Sequence, residues 1–282
     1  MSPDIRDGRA KVASGGFGAR LRWWRERRGL SQLELAGEAE TTQRHVSFLE
    51  SGRATPSREM ILRLAAVLGL PLRQQNAVFL AAGYAPPWRE SDLSAPELAR
   101  VSSALDFMLA QQEPYPAFVV DRRWNLLRAN TGALRLVEFL TGPPPATPAA
   151  EPVNLAVALV SPDGLRPFIV NWEEVVLYFL RGVQDDAVAD GTPETAALLK
   201  RLLAVPGAPA LSQAPPPEEA PAPVLPVHFR RGETSLRLFT TLATLGTPRD
   251  VTLQEIRIEC FFPLDDATAR TFRDWAAAGR PS

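Results

Sequence analysis

The stretch Leu30-Ser-Gln-Leu-Glu-Leu-Ala-Gly-Glu-Ala-Glu-Thr-Thr-Gln-Arg-His-Val-Ser-Phe-Leu-Glu-Ser-Gly52 decides how the chain is read. Ser31 stands three residues before Glu34, the spacing of a capping box in which two side chains satisfy orphan backbone donors at a helix start. Leu35, Ala36 and Ala39 give that helix an apolar face. Thr42 can cap a second helix that turns Val46 and Leu49 inward and stops at Ser51-Gly52. Small Ala36 lets the two helices cross closely, with Val46 and Leu49 wedging the second in place. The flanks repeat the pattern. A helix from Gly18 to Arg28 carries Leu21 and Trp24 on one side and stops at Gly29. Pro56 opens another, with Ile61, Leu64, Ala65 and Leu68 at helical spacing, and a fifth runs from Leu72 to Ala82. Such short connections force the helices together, so residues 17–83 form one all-α domain of five helices.

The chain has 282 residues, more than one small core organises, so two domains are expected. Hydrophobic residues make up 45% and charged residues 22%, the balance of a globular protein in water. Cys260 is the one cysteine, which excludes an internal disulfide framework and a cysteine-based zinc site and suits a reducing compartment. No apolar run approaches a bilayer span and Met1 to Ser14 contain no signal-like apolar stretch, so a cytoplasmic location without membrane insertion is expected. Residues 1–90 hold 14 Lys and Arg against 9 Asp and Glu, a net of +5, and residues 91–282 hold 17 against 23, a net of −6. A basic module joined to an acidic one is the asymmetry of a nucleic-acid binder with a second domain, though chance clustering would look the same.

After Pro86-Pro87 and a polar stretch, Pro96 to Gln111 reads as an amphipathic helix with Leu98, Val101, Leu105 and Leu109 on one stripe. Ala117 to Val120 and Trp124 to Leu127 read as two strands, followed by a helix from Thr131 to Leu140. Helical segments are expected near 167–184 and 193–204, and Pro-rich stretches at 143–152 and 206–226 as exposed loops. Near the end, Ile256, Ile258, Cys260 and Phe262 alternate with Glu255, Arg257, Glu259 and Phe261, a clear strand signal, and Leu236, Leu238 and Leu242 argue for a partner strand. Residues 91–282 are therefore expected to be α+β, with an antiparallel sheet of N-terminal and C-terminal strands, after a flexible 1–16 and a helical domain over 17–90.

The helix pair at 30–52, followed by Pro56, resembles the helix-turn-helix of phage-repressor-like (XRE-type) regulators. The resemblance implies binding to double-stranded DNA. It places Thr42, Gln43 and Arg44 at the start of the recognition helix, with Ser47 and Phe48 one turn on. Gln suits adenine and Arg suits guanine. Gln32 falls where that class contacts phosphate, and Arg53 is a second backbone candidate. Arg25 and Glu50 fall where it forms a partly buried ion pair, and the turn position often held by glycine in such motifs is Glu40 here, which implies a strained positive φ. The rival reading is a helical domain for protein contacts, its polar side chains merely solvated.

Further stretches extend the likeness: Pro56-Ser-Arg-Glu-Met60, Ala81-Ala-Gly-Tyr-Ala-Pro86, Pro114-Tyr-Pro-Ala117, Asp121-Arg-Arg-Trp-Asn125, Asn171-Trp-Glu-Glu174 and Ile258-Glu-Cys-Phe-Phe-Pro263. Together they resemble the MmyB-like transcription regulators, which join this helix-turn-helix to a PAS-like ligand domain. The resemblance implies a small lipophilic, fatty-acid-like ligand with no required cofactor, a homodimer on a near-palindromic operator, and a place on the nucleoid. Phe118, Trp172, Val176, Phe179, Leu238 and Phe261 are candidate lining residues, and each could equally be ordinary core. An acidic ligand would want a cation, for which Arg128, Arg166, His228 and Arg237 are the candidates. With two histidines, one in the recognition helix, and no phosphate loop or metal spacing, no enzyme is expected. The remaining alternative is a second domain that only dimerises or binds a protein partner.

Overall fold

The structure, a computed structural model, describes residues 16–143, 152–208 and 224–279. All but the last residue of the expected flexible 1–16, and most of the two Pro-rich stretches, lie outside those residues. The chain divides into two compact units, one holding the residues up to Ser91 together with Thr247–Gln254, the other holding 92–246 and the residues from Glu255 onward.

The first unit is the expected five-helix domain: α1 (Phe17–Arg27), α2 (Gln32–Glu38), α3 (Gln43–Glu50), α4 (Arg58–Val67) and α5 (Leu72–Ala81). Ser31 and Glu34 form the capping box at the start of α2, and Thr42 caps α3 by accepting from the His45 N–H. The turn after α2 is a Schellman closure, with the Thr41 N–H donating to Ala36 O at 2.9 Å. That closure needs a left-handed residue, and Glu40 supplies it at φ 51, as expected. At the end of α3 glycine takes the same position, Gly52 at φ 73, while the Arg53 N–H donates to Phe48 O at 2.8 Å. Leu35, Ala36, Val46, Leu49 and Ile61 are at most 1% exposed, so the seam between α2, α3 and α4 is dry. Gly18 lets α1 press against the end of α3, since a Cβ there would lie 2.5 Å from the carbonyl oxygens of Leu49 and Glu50.

Residues 247–254 complete this unit. Asp250 is buried and bridges to Arg89, the Val251 N–H donates to Arg89 O at 2.8 Å, and the Ser91 N–H donates to the Asp250 carboxylate at 3.1 Å. Pro71 has no side chain with which to cap α5. The carboxamide oxygen of Gln254 does so instead, accepting from the Leu72 N–H at 2.7 Å. Sequence alone assigns 247–254 to the second region, because nothing local marks a segment that packs on residues far upstream.

The second unit comprises α6 (Ala99–Gln111), β1 (Ala117–Val120), β2 (Leu126–Ala129), α7 (Thr131–Thr141), α8 (Leu155–Val160), α9 (Trp172–Asp190), α10 (Pro193–Leu203), β3 (Pro226–Arg231), β4 (Thr234–Thr244), α11 (Val251–Glu255, nearly all of it within the first unit), β5 (Arg257–Pro263) and α12 (Asp266–Ala277). The strands form one antiparallel sheet in the order β2-β1-β5-β4-β3, the α+β arrangement expected, with first and last strands paired at its centre. Register sorts the side chains. Phe118 faces Glu259, which faces Leu242, whereas Val119 faces Ile258. One sheet face therefore carries Phe118, Leu236, Leu238, Glu259 and Phe261, and the other carries Val119 and Ile258. The second expected strand begins two residues late, because Trp124 sits in the preceding turn at φ 65. The helix expected over 167–184 begins at Trp172 after a short 3-10 turn. β3, α8, α11 and α12 are additional. No described helix is long and apolar enough to cross a membrane.

Candidate DNA interface and ligand site

Position on α3 follows from what the helix buries. Val46, Leu49 and Glu50 point inward, which leaves Thr42, Gln43 and Arg44 exposed at its N-terminal end. Ser47 and Phe48 are partly buried one turn later, and Arg53 is exposed just past the helix end. Phe48 lies between the two arginines, its ring 5.1 Å from the Arg44 guanidinium carbon and 6.0 Å from that of Arg53. The Thr42 hydroxyl oxygen accepts the His45 N–H as a cap, which leaves its own O–H to donate outward.

Behind this face lies a charged core. The Glu50 side chain is 0% exposed and accepts from Arg25 Nε at 2.6 Å and Nη2 at 3.1 Å, from Gln32 Nε2 at 2.8 Å and from Arg22 Nε at 3.3 Å. Burial alone would raise the Glu50 carboxyl, but the hydrogen bonds from Arg25, Gln32 and Arg22 hold it below its ordinary value. The expected Arg25–Glu50 pair is present, and Gln32 and Arg22 join it. Gln32 thus has one amide hydrogen committed to Glu50 and a second left to donate.

In the second unit, Trp172, Val176, Leu238 and Phe261 are buried in one apolar cluster, with Phe118 and Phe179 partly buried against it. Phe118 and Phe261 pack at 5.5 Å, and Phe179 meets Trp124 edge-on at 4.6 Å. Arg257 pairs with Asp186 of α9 through two contacts at 2.6 and 2.7 Å, its guanidinium carbon 5.7 Å from the Trp124 ring. Burial lifts the Glu259 carboxyl to about 7 against an opposing hydrogen bond from Thr240. A separate open cleft of about 450 Å³ has a mixed lining that includes Arg123, Asn125, Pro152, Asn154, Val157 and Arg201. Trp124, between two of those residues in sequence, packs its ring on Phe179 instead. Among the described residues, no group of three or more His, Cys, Asp or Glu could hold a metal ion.

The sequence model of the MmyB-like transcription regulator ligand binding domain matches residues 101–274, and that of a helix-turn-helix domain matches residues 17–77. The chain belongs to the MmyB-like transcription regulators. It joins a helix-turn-helix DNA-binding domain to a ligand-binding domain, the composition of a ligand-regulated transcription regulator. No curated protein matches it. Among solved structures, an RNA-binding light-oxygen-voltage receptor is similar at 14% identity with a TM-score of 0.27, over 99% of this chain and 67% of that one.

In this MmyB-like regulator the six apolar candidates gather in one cluster, and of the four cations only Arg166 meets it. Arg128 pairs across from Val119, on the opposite sheet face, and is held by Ser102 and Asp106 of α6. His228 and Arg237 pair with each other on that face of β3 and β4, opposite buried Val227 and Leu238. Burial and the Arg237 and Arg230 charges push His228 below its ordinary value, so it is a poor cation near neutral pH. Arg166 lies on the cluster side, stacked 3.8 Å from the Trp172 ring and donating to Pro206 O. The cluster-facing polar groups that sequence reasoning missed are Arg257, Glu259 and the Trp124 indole. The alternation in β5 was the available signal. It gave no choice of face, because both are covered: Ile258 is 1% exposed and Phe261 7%.

Proposed function

We propose that this chain is a sequence-specific transcriptional regulator that docks α3 in the DNA major groove and responds to a lipophilic, fatty-acid-like ligand in its second unit. The observation that carries the first half is the exposed Gln43 and Arg44 at the start of a helix pinned by buried Val46, Leu49 and Glu50. In this reading Gln43 and Arg44 touch base edges, with Ser47 and Phe48 beside them, while Thr42, Arg53 and the free amide hydrogen of Gln32 meet phosphates. A homodimer places two such helices about 34–36 Å apart on a near-palindromic operator, so a small rotation between subunits suffices to break one contact. The Phe118, Phe179 and Phe261 cluster supports the second half. A coupling of 1–3 kcal/mol between ligand and operator would change affinity roughly 5- to 150-fold, and by linkage each would shift the other equally.

The test is an anisotropy titration of the lipid-stripped full chain with a labelled duplex from the promoter of its own gene, with and without dodecanoic acid. Steeply salt-dependent binding that the acid shifts is the expected result. No binding to any duplex refutes the DNA half. Binding that no amphiphile alters, with no ligand recovered by native mass spectrometry, leaves the second unit as a dimerisation or partner-binding module.

A further inference from the structure

Trp124 is held in a conformation that folding alone does not reward. Among the described residues it shares a positive φ only with Glu40 and glycines, and a left-handed backbone is unfavourable for a bulky side chain. The turn around it is over-determined. The Asp121 carboxylate accepts from the N–H groups of Arg123 at 2.8 Å and Asn125 at 2.9 Å, the Trp124 N–H donates to Asp121 O at 2.9 Å, and Trp124 O accepts from the Leu155 N–H at 2.8 Å. Every backbone group of Trp124 is thus satisfied, yet its indole Nε1–H is buried without an acceptor. Buried tryptophans normally place that donor. Two others in this chain do: Trp172 donates to Leu159 O at 3.1 Å and Trp88 to the Gln75 carboxamide oxygen at 2.8 Å.

The orphan donor belongs to a ring set between an aromatic neighbour and a cation. Phe179 packs at 4.6 Å, Asp186 holds the nearby Arg257 in place through two contacts, and the indole N–H beside them has no acceptor of its own. Filling of the cluster is uneven as well. Val176, Leu180 and Leu238 are at most 1% exposed, while Phe118, Trp124 and Phe179, all larger, stay partly accessible. We propose that the Trp124 indole N–H anchors the ligand, donating to a carboxyl or carbonyl oxygen of a lipophilic molecule whose hydrocarbon part lies against Phe179 and the cluster behind it. This rests on the ligand-sensing reading above and names the group that would meet the ligand's head.

The experiment uses the lipid-stripped full chain labelled with ¹⁵N at its six tryptophans, titrated with dodecanoic acid and separately with dodecylamine, whose ammonium head accepts nothing. Trp124→Phe keeps an aromatic ring and removes the donor. The expected result is one indole resonance, absent in Trp124→Phe, that shifts with the acid and not with the amine. The variant should bind the acid on the order of 2- to 10-fold more weakly, the range of a single hydrogen bond. If the acid binds wild type and Trp124→Phe alike and that resonance stays put, the anchor is refuted while ligand sensing stands. If wild type binds neither probe, the anchor and its parent reading fall together. Should Trp124→Phe fail to fold, the wild-type resonance, assigned by its Overhauser contact with the Phe179 ring, tests the anchor by the same criterion: a shift with the acid alone supports it, and no shift refutes it.

Discussion

Glu50→Ala should be among the most damaging single substitutions in the helical unit, and the structure says by how much. It deletes an acceptor that takes four hydrogen bonds from three side chains. It also strands the Arg25 guanidinium, 11% exposed as a side chain, with the Leu30 carbonyl at 2.8 Å and a long contact to the exposed Glu26 carboxylate at 3.6 Å. Breaking a buried pair from one side costs about 3–5 kcal/mol. Arg25→Ala leaves Glu50 with Gln32 and Arg22, so its cost should sit near 3 kcal/mol, the low end of that range. Replacing both at once, Arg25→Ala with Glu50→Ala, removes the stranded charge, and the double loss should fall short of the sum by about 2 kcal/mol. Since the folded state holds the Glu50 carboxyl below 4.5, this stabilisation is complete above that pH and lost as pH falls through the lowered folded value. A two-unit chain need not unfold in one step, so the measurement is native-state hydrogen exchange of amides in α1 and α3 of the full chain. Additive single losses, each under about 1 kcal/mol, would mark the pair as surface charges and refute the argument.

Other outcomes follow from single contacts. Gly18→Ala puts a methyl group 2.5 Å from two backbone oxygens of α3, so it should lower the helical unit's stability by about 1–3 kcal/mol, read as protection lost in the same exchange experiment. Glu259, whose folded pKa of about 7 lies above its unfolded 4.5, favours folding least above pH 7 and penalises it progressively as pH rises between the two. Glu259→Gln should therefore raise the melting temperature at pH 8, by up to about 3 kcal/mol of stability, and change little at pH 4; equal effects at both would contradict the assignment. Arg53→Ala should weaken binding to all duplexes alike and flatten the log–log salt slope by about 0.9, whereas Arg44→Ala should relax preference at one base pair by about 1–3 kcal/mol. Competition titrations with point-mutated duplexes separate the two.

What the sequence revealed divides by contact range. The helical unit was legible because its determinants are local: the Ser31–Glu34 box, the spacing of Leu35, Val46 and Leu49, and a turn geometry that makes Glu40 left-handed whatever its residue type. In the second unit, strand existence was readable and allegiance was not. β3 begins at Pro226, at the end of a Pro-rich run that masks it, and β2 is displaced by Trp124, whose apolar side chain imitates a strand residue while its backbone makes a turn. α12 carries a usable local signal, since Asp265 accepts from the Thr268 N–H as a cap and Phe272 follows on the buried stripe. Which face of β5 meets the aromatic cluster depends on pairing between residues 117–120 and 257–260, and periodicity within one strand carries no information about that.

The Gln254 cap has a consequence for how this regulator can be taken apart. A DNA-binding head at one end of a chain is ordinarily a cassette, separable by one cut and portable to another sensor. Here the chain leaves the helical unit at Ser91, builds four strands, returns at Thr247 to satisfy the start of α5, and departs again after Gln254. A fragment ending at Ser91 lacks Asp250, Val251 and Gln254, so it carries unmet backbone donors at Leu72 and Ser91 where the full chain has none. The head is thus finished only after β4 has been synthesised, and a hybrid built by joining residues 1–91 to a foreign sensor inherits a DNA reader with its last piece missing.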